Sequence, residues 1–208
     1  MKNISLSVLA ALLIYLLLWP VATDPVSWEA PQTTGYTDDF AQNNQLSALE
    51  IIELTDTHGP EGLALLNGEI YTATREGWIL KYNEASGDIT KMANTNGSPL
   101  GLVFDANDNL LIADAYKGIL SMSPEGELTV LTNSMDGVPI VYADDLDVTE
   151  DGKIYFSDAS TKFGAQANGG TYAASLLDIA EHGSHGRLLV YDPADQSTKL
   201  VMDDLNFA

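Results

Sequence analysis

The chain has 208 residues, 45% of them hydrophobic and 8% aromatic, with a mean hydropathy of -0.01, so it holds enough apolar material for one globular core. Thirty Asp and Glu against nine Lys and Arg give a formal charge of -21, which repels phosphate backbones and argues against nucleic acid as a partner. Cysteine is absent, which excludes thiol nucleophiles, Cys-ligated zinc and disulfides without fixing the compartment.

Residues 1–22 open on Met1-Lys2-Asn3 and continue through an apolar run, Ile4 to Leu18, that closes on Trp19-Pro20-Val21-Ala22. This predicts a membrane-targeting helix, either an uncleaved signal anchor or a cleaved signal peptide; a cut after Ala22 would set Pro20 where a small residue is wanted, which favours the anchor. After Lys2 the next basic residue is Arg75, with Asp24, Glu29, Asp38 and Asp39 between them, so the N-terminus is expected inside and the body on the extracytoplasmic side, periplasmic or lumenal, or secreted if the segment is cut. A buried core helix would need a partner that a lone N-terminal run does not have. Residues 23–45, with Pro25, Pro31, Gly35 and no sustained period, read as a linker that spaces the body from the membrane.

From residue 59 onward the sequence repeats. First strands are expected at Gly62–Leu65, Gly101–Phe104 and Asp145–Val148, and second strands at Glu69–Thr72, Leu110–Asp114 and Lys153–Asp158. Third strands open on glycine, at Gly77–Tyr82, Gly118–Met122 and Gly186–Tyr191; fourth strands follow at Ile89–Met92, Leu128–Leu131 and Lys199–Met202. Four short strands in units of roughly 40 residues make an all-β propeller the expected fold, with blades at about 59–97, 98–140 and 141–205 inside a body spanning 46–208. The third unit carries an insert, 159–185, with a short helix near Tyr172–Ala180. Three blades do not close a ring, so the chain is expected to belong to a protein with about twice as many.

Several residues admit bland readings. Asp105 to Asn109 begins like a calcium loop, but Leu110 stands where glycine is needed, so a hairpin turn is expected. Asp114 and Asp158 end equivalent second strands, which points to a repeated structural role. His58, His182 and His185 read as loop residues; the alternative for the last two is a place bordering a channel mouth. No Gly-x-Ser-x-Gly elbow, phosphate-binding glycine loop or His-Glu-x-x-His occurs.

Gly59-Pro60-Glu61-Gly62, Pro99-Leu100-Gly101-Leu102, Ile112-Ala113-Asp114-Ala115-Tyr116, Asp145-Leu146-Asp147, Ile154 to Ser160 and Gly186 to Pro193 together resemble the strictosidine synthase-like proteins. That group is related to the gluconolactonase (senescence marker protein) and paraoxonase families, six-bladed propellers that depend on calcium. The resemblance implies a Ca2+ ion in the central channel, with Glu61 and Asp144 as two of its ligands, Asp145 completing the usual pair, and further ligands beyond Ala208. Asp144 replaces the more common Asn, which keeps an oxygen donor and adds a charge. Glu61 could equally be a solvated loop residue, and Asp144 and Asp145 ordinary turn residues. Leu100 stands where paraoxonases carry a functional histidine, so a histidine-dependent mechanism is not expected, and true strictosidine synthesis is not either. The implied function is calcium-dependent hydrolysis of lactones or related esters; the alternative is a non-catalytic membrane-tethered propeller that binds a small molecule or a protein.

Overall fold

The computed structural model describes residues 2–54 and 56–208; Met1, with which the targeting segment opens, lies outside the described residues. Lys2–Leu18 form helix α1. Its leucines and alanines favour the helix, and Trp19-Pro20 stops it because proline disfavours the helical conformation of the residue before it. At 1.5 Å per residue α1 is about 26 Å long. Leu6, Leu9, Leu12, Leu13, Leu16 and Leu17 are all exposed, so from Leu6 onward α1 turns apolar side chains to solvent on every side. No helix among the described residues is long and apolar enough to cross a membrane.

The body is built from three four-stranded antiparallel sheets, each a simple meander. The first contains β1 (Leu63–Leu66), β2 (Glu69–Ala73), β3 (Trp78–Asn83) and β4 (Ile89–Asn94). The second contains β5 (Pro99–Phe104), β6 (Leu110–Asp114), β7 (Gly118–Met122) and β8 (Leu128–Thr132). A two-stranded ribbon, β9 (Ser134–Met135) and β10 (Val138–Pro139), follows, and the third sheet contains β11 (Ala143–Val148), β12 (Ile154–Asp158), β13 (Gly186–Asp192) and β14 (Ser197–Leu205). These are the strands the repeat predicts, with no end displaced by more than three residues. The ribbon is an addition, turned by Asp136-Gly137 with both residues at positive φ, as a tight two-residue hairpin requires.

The first strands β1, β5 and β11 lie side by side, so the sheets are arranged as blades around a common axis. Strand β6 shows why the sheets stack. Every residue in it is buried, and its side chains alternate between neighbours: Leu110 and Ile112 pack with Ala64, Tyr71 and Ile79 of the first blade, Leu111 and Ala113 with Leu146, Phe156 and Leu189 of the third. A polar residue at any of these positions would break one interface and spare the other.

The insert of the third blade holds helix α2 (Thr171–Glu181). It is closed by His182, whose left-handed conformation (φ 56°) caps the last turn while its N–H donates to the Asp178 carbonyl. Phe163, Ala165 and Ala174 of the insert pack on Leu100, Ala115 and Tyr142, residues at the ends of β5, β6 and β11, so the insert covers one end of the blades. Buried Ser160 donates to the equally buried Asp178 and accepts from the N–H of Phe163, which ties the start of the insert to the helix.

Candidate functional site

The registers show which residues correspond between blades. Leu63 pairs with Thr72, Leu102 with Ile112 and Leu146 with Phe156, while the N–H groups of Arg75, Ala115 and Ala159 donate to the carbonyls of His58, Ser98 and Tyr142. Counted back from these strand pairs, Glu61, Leu100 and Asp144 occupy one position in three successive blades, and Gly62, Gly101 and Asp145 the next; the first blade holds one more residue between its strand pair and the His58 carbonyl than the other two do. In the second and third blades these two residues form a bulge: Leu100-Gly101 and Asp144-Asp145 each stand opposite a single residue of the second strand. A bulge bends the strand and re-aims a side chain, here at the end of the strand nearest the axis.

The six residues line one cavity of about 210 Å³. Its walls approach closely because two of them are glycines. The Gly62 N–H donates to the Leu100 carbonyl at 3.1 Å, and a Cβ on Gly62 would stand 2.2 Å from that oxygen. A Cβ on Gly101 would lie 2.5 Å from an Asp145 carboxylate oxygen and 2.8 Å from its Cα. Thr72 Oγ1 donates to the Gly62 carbonyl at 2.9 Å and fixes the residue after Glu61. The structure thus brings the two sequence-predicted ligands, Glu61 and Asp144, to one cavity, with Leu100 between them as an apolar wall.

The electrostatics are those of unpaired carboxylates. Burial, then the neighbouring Glu61 and Asp145, push the Asp144 carboxyl up to about 6. Tyr142, two residues earlier, is raised as well, by burial first and then by Asp144 and Glu61, so its phenol stays protonated and donates to the Thr171 carbonyl at 2.8 Å. Asp145 points differently: it is exposed, and its Oδ1 accepts the N–H of Leu146 at 2.9 Å. Among the described residues no three His, Cys, Asp or Glu converge closely enough to hold a metal ion. What the cavity offers is a pair of oxygen donors from the first and third repeats, with the apolar Leu100 of the second between them and no nitrogen or sulfur among the lining side chains.

The other singled-out residues are structural. Asp158 is fully buried, takes the N–H of Tyr142 at 2.8 Å on one oxygen and Arg187 on the other. Asp114 takes the corresponding place in the preceding blade, where one oxygen accepts the N–H groups of Ser98 and Tyr116, but among the described residues its other oxygen has no hydrogen-bond partner. The Asp105 side chain accepts the N–H groups of Asn107 and Asn109, the expected hairpin turn. His58 pairs with Glu76 at 2.8 Å on the surface, and His185 with Glu181 at 2.6 Å. Sequence reasoning missed the residues around Glu181: this carboxylate, 2% exposed, gathers Lys162 and His185 and also receives the N–H of Asp24. The segment read as a spacer is thus bonded to the insert; nothing in its own composition signals that contact.

Comparison with known proteins agrees with this architecture. Family models for the strictosidine synthase-like N-terminal region and for strictosidine synthase match residues 38–82 and 144–208, stretches that hold Glu61 and Asp144 respectively. Protein STRICTOSIDINE SYNTHASE-LIKE 6 of Arabidopsis thaliana is 32% identical over 97% of this chain and 55% of its own length. The human adipocyte plasma membrane-associated protein is 30% identical over 100% of this chain and 51% of its own. The chain therefore spans about half the length of the curated relatives it matches. Among solved structures, a gluconolactonase from Xanthomonas campestris aligns with a TM-score of 0.56 at 18% identity, covering 69% of this chain and 47% of that one. Regucalcin from Agrobacterium tumefaciens, described as a calcium-binding protein, aligns with a TM-score of 0.53 at 16% identity over 75% and 47%. Such identities speak for the fold, an all-β propeller; taken with the two matched family regions and the curated relatives, they show that this chain belongs to the strictosidine synthase-like family.

Proposed function

We propose that the protein is a divalent-cation-dependent hydrolase of lactones or related esters, with Glu61 and Asp144 holding the cation. The observation that carries this reading is the meeting of these two carboxylates, at one repeat position, in a cavity where no positively charged group among the described residues offsets them. Carboxylate oxygens without nitrogen or sulfur suit calcium, which takes six to eight oxygens, so water, substrate and further residues complete the shell. When bound, a divalent cation supplies Lewis-acid polarisation of the ester carbonyl and of the oxyanion that develops on it. Leu100 supplies the apolar wall against which the carbon skeleton of a substrate packs, and Tyr142, kept protonated, braces the insert beside it. The solved gluconolactonase and the calcium-binding regucalcin support both halves of the reading by their names.

The same proposal seats α1 in a membrane, with the propeller on the extracytoplasmic side. Its support is the apolar exposure of α1 on all sides, the aromatic pair Tyr15 and Trp19 at its end, and the membrane association named for the human relative. The test is hydrolysis of a panel of aliphatic and sugar lactones by the full-length protein, with and without calcium, repeated with Glu61→Gln and Asp144→Asn. The expected result is activity that requires calcium and falls by roughly two orders of magnitude in each variant. A folded, calcium-binding protein inert on every lactone would instead identify a binding module.

A further inference from the structure

The segment that follows α1 does not run free. The Asp24 N–H donates to Glu181 Oε2 at 2.8 Å, and the Val26 N–H donates to the Glu181 main-chain carbonyl at 2.7 Å. Two residues on, the Trp28 indole stacks on the His182 imidazole, with ring centroids 4.7 Å apart and planes 26° from parallel. Glu181 is itself clamped by Lys162 at 2.6 Å and His185 at 2.6 Å. Residues 24–28 are a strap, held through two main-chain bonds and one ring stack to the C-terminal end of α2.

The position of that strap is set by the topology. The insert leaves the third blade at Asp158 and returns at Gly186; Asp158 pairs with Ala143, the first residue of β11. The insert therefore stands at the end of the blades where the first strands begin, which is the end that carries Glu61 and Asp144. Its packing on Leu100, Ala115 and Tyr142 fixes it there. From Leu18, the end of α1, to Asp24 there are six residue steps, which span at most about 20 Å. If the tether were free until β1, it could turn any face of the body towards the anchor. Pinned at Asp24, it cannot.

From this we infer that the strap orients the propeller on its membrane: the face holding Glu61 and Asp144 is kept towards the lipid surface in which α1 sits, and the site takes amphiphilic esters or lactones that lie at that surface. The inference rests on the membrane reading of α1 and narrows the substrate class of the proposed site. The net charge of -21 opposes close approach to anionic lipid, so the strap acts by tethering and not by attraction, and a zwitterionic leaflet is the surface it fits.

The experiment uses full-length protein in phosphatidylcholine vesicles that carry a nitroxide at the head group. Residues 1–208 contain no cysteine, so one fluorophore is attached after Tyr172→Cys, on the exposed flank of α2, or after Asn107→Cys, in the β5–β6 turn at the opposite end of the blades. The expected result is co-flotation of the protein with the vesicles and severalfold stronger quenching at position 172 than at 107. Asp24→Pro with Val26→Pro deletes both strap donors and touches no blade residue, and should abolish that difference while flotation persists. Equal quenching at the two positions in floating wild-type protein, or a difference that survives both prolines, overturns the strap and leaves the anchor standing. Failure to float overturns the anchor, and the orientation with it.

Discussion

Two aspartates of the third blade, Asp144 and Asp158, sit on paired strands, are both drawn out of solvent, and both have their carboxyls raised by burial. They differ in what stands opposite. Asp158 has Arg187 on one oxygen, two main-chain N–H groups on the other, and no solvent exposure at all. Asp144 has Glu61 and Asp145, charges of its own sign, and a cavity. Asp158, which serves the fold, arrives with its counter-charge in the same chain. A carboxylate that faces other carboxylates is electrostatically incomplete, and the missing positive charge is the simplest account of why the group is there.

The largest effect should come from breaking the complete member of the pair. Arg187→Met strips the counter-charge from a fully buried Asp158 and is expected to cost about 3–5 kcal/mol, read as a fall in the urea midpoint of the full-length protein. A loss no larger than that of a surface substitution would mean that Asp158 is not sealed from solvent. Next comes Gly101→Ala, whose added methyl cannot fit against Asp145. About 1–3 kcal/mol of destabilisation is expected, together with weaker calcium binding by calorimetry, because the wall carrying Asp144 is displaced.

The incomplete member should show itself in pH. Asp144 has a folded value of about 6 against an ordinary 3.8, so between these values the folded state holds more protons than the unfolded one. Its contribution to stability is fully present below about pH 4 and is lost as pH rises through about 6, an effect on the order of 2–3 kcal/mol. The difference in unfolding free energy between wild type and Asp144→Asn, measured from pH 4 to 8 without calcium, should show that fall. Calcium added above pH 6 should restore much of it, and a flat difference curve would remove the case for an unpaired carboxylate. The smallest effect belongs to His58→Ala: that ion pair lies on the surface, and no change in the urea midpoint beyond error is expected.

Much of this was legible in the residues themselves. The blade strands follow from alternating apolar positions, glycine-opened third strands and turn residues, all local signals, and they fall where the repeat puts them. Glu61 and Asp144 could be named because the resemblance to the strictosidine synthase-like proteins implies ligands at their positions. The ribbon β9–β10 was missed although Asp136-Gly137 is a hairpin signal, because the strands it joins are only two residues each. The strap was missed for a different reason: main-chain N–H groups make it, and every residue type but proline has one.

The sequence alone determines the strand types from neighbours within one repeat, and the period and the family resemblance from the order in which those short motifs recur along the chain. Only the tertiary structure decides that a bulge at Asp144-Asp145 matches one at Leu100-Gly101, that Glu61 and Asp144 share a cavity while Asp158 is answered by Arg187, and that Asp24 is bonded to Glu181. Those relations join residues from about 15 to more than 150 positions apart, and a side chain's charge environment is set by what the fold packs against it, not by what precedes it in the chain.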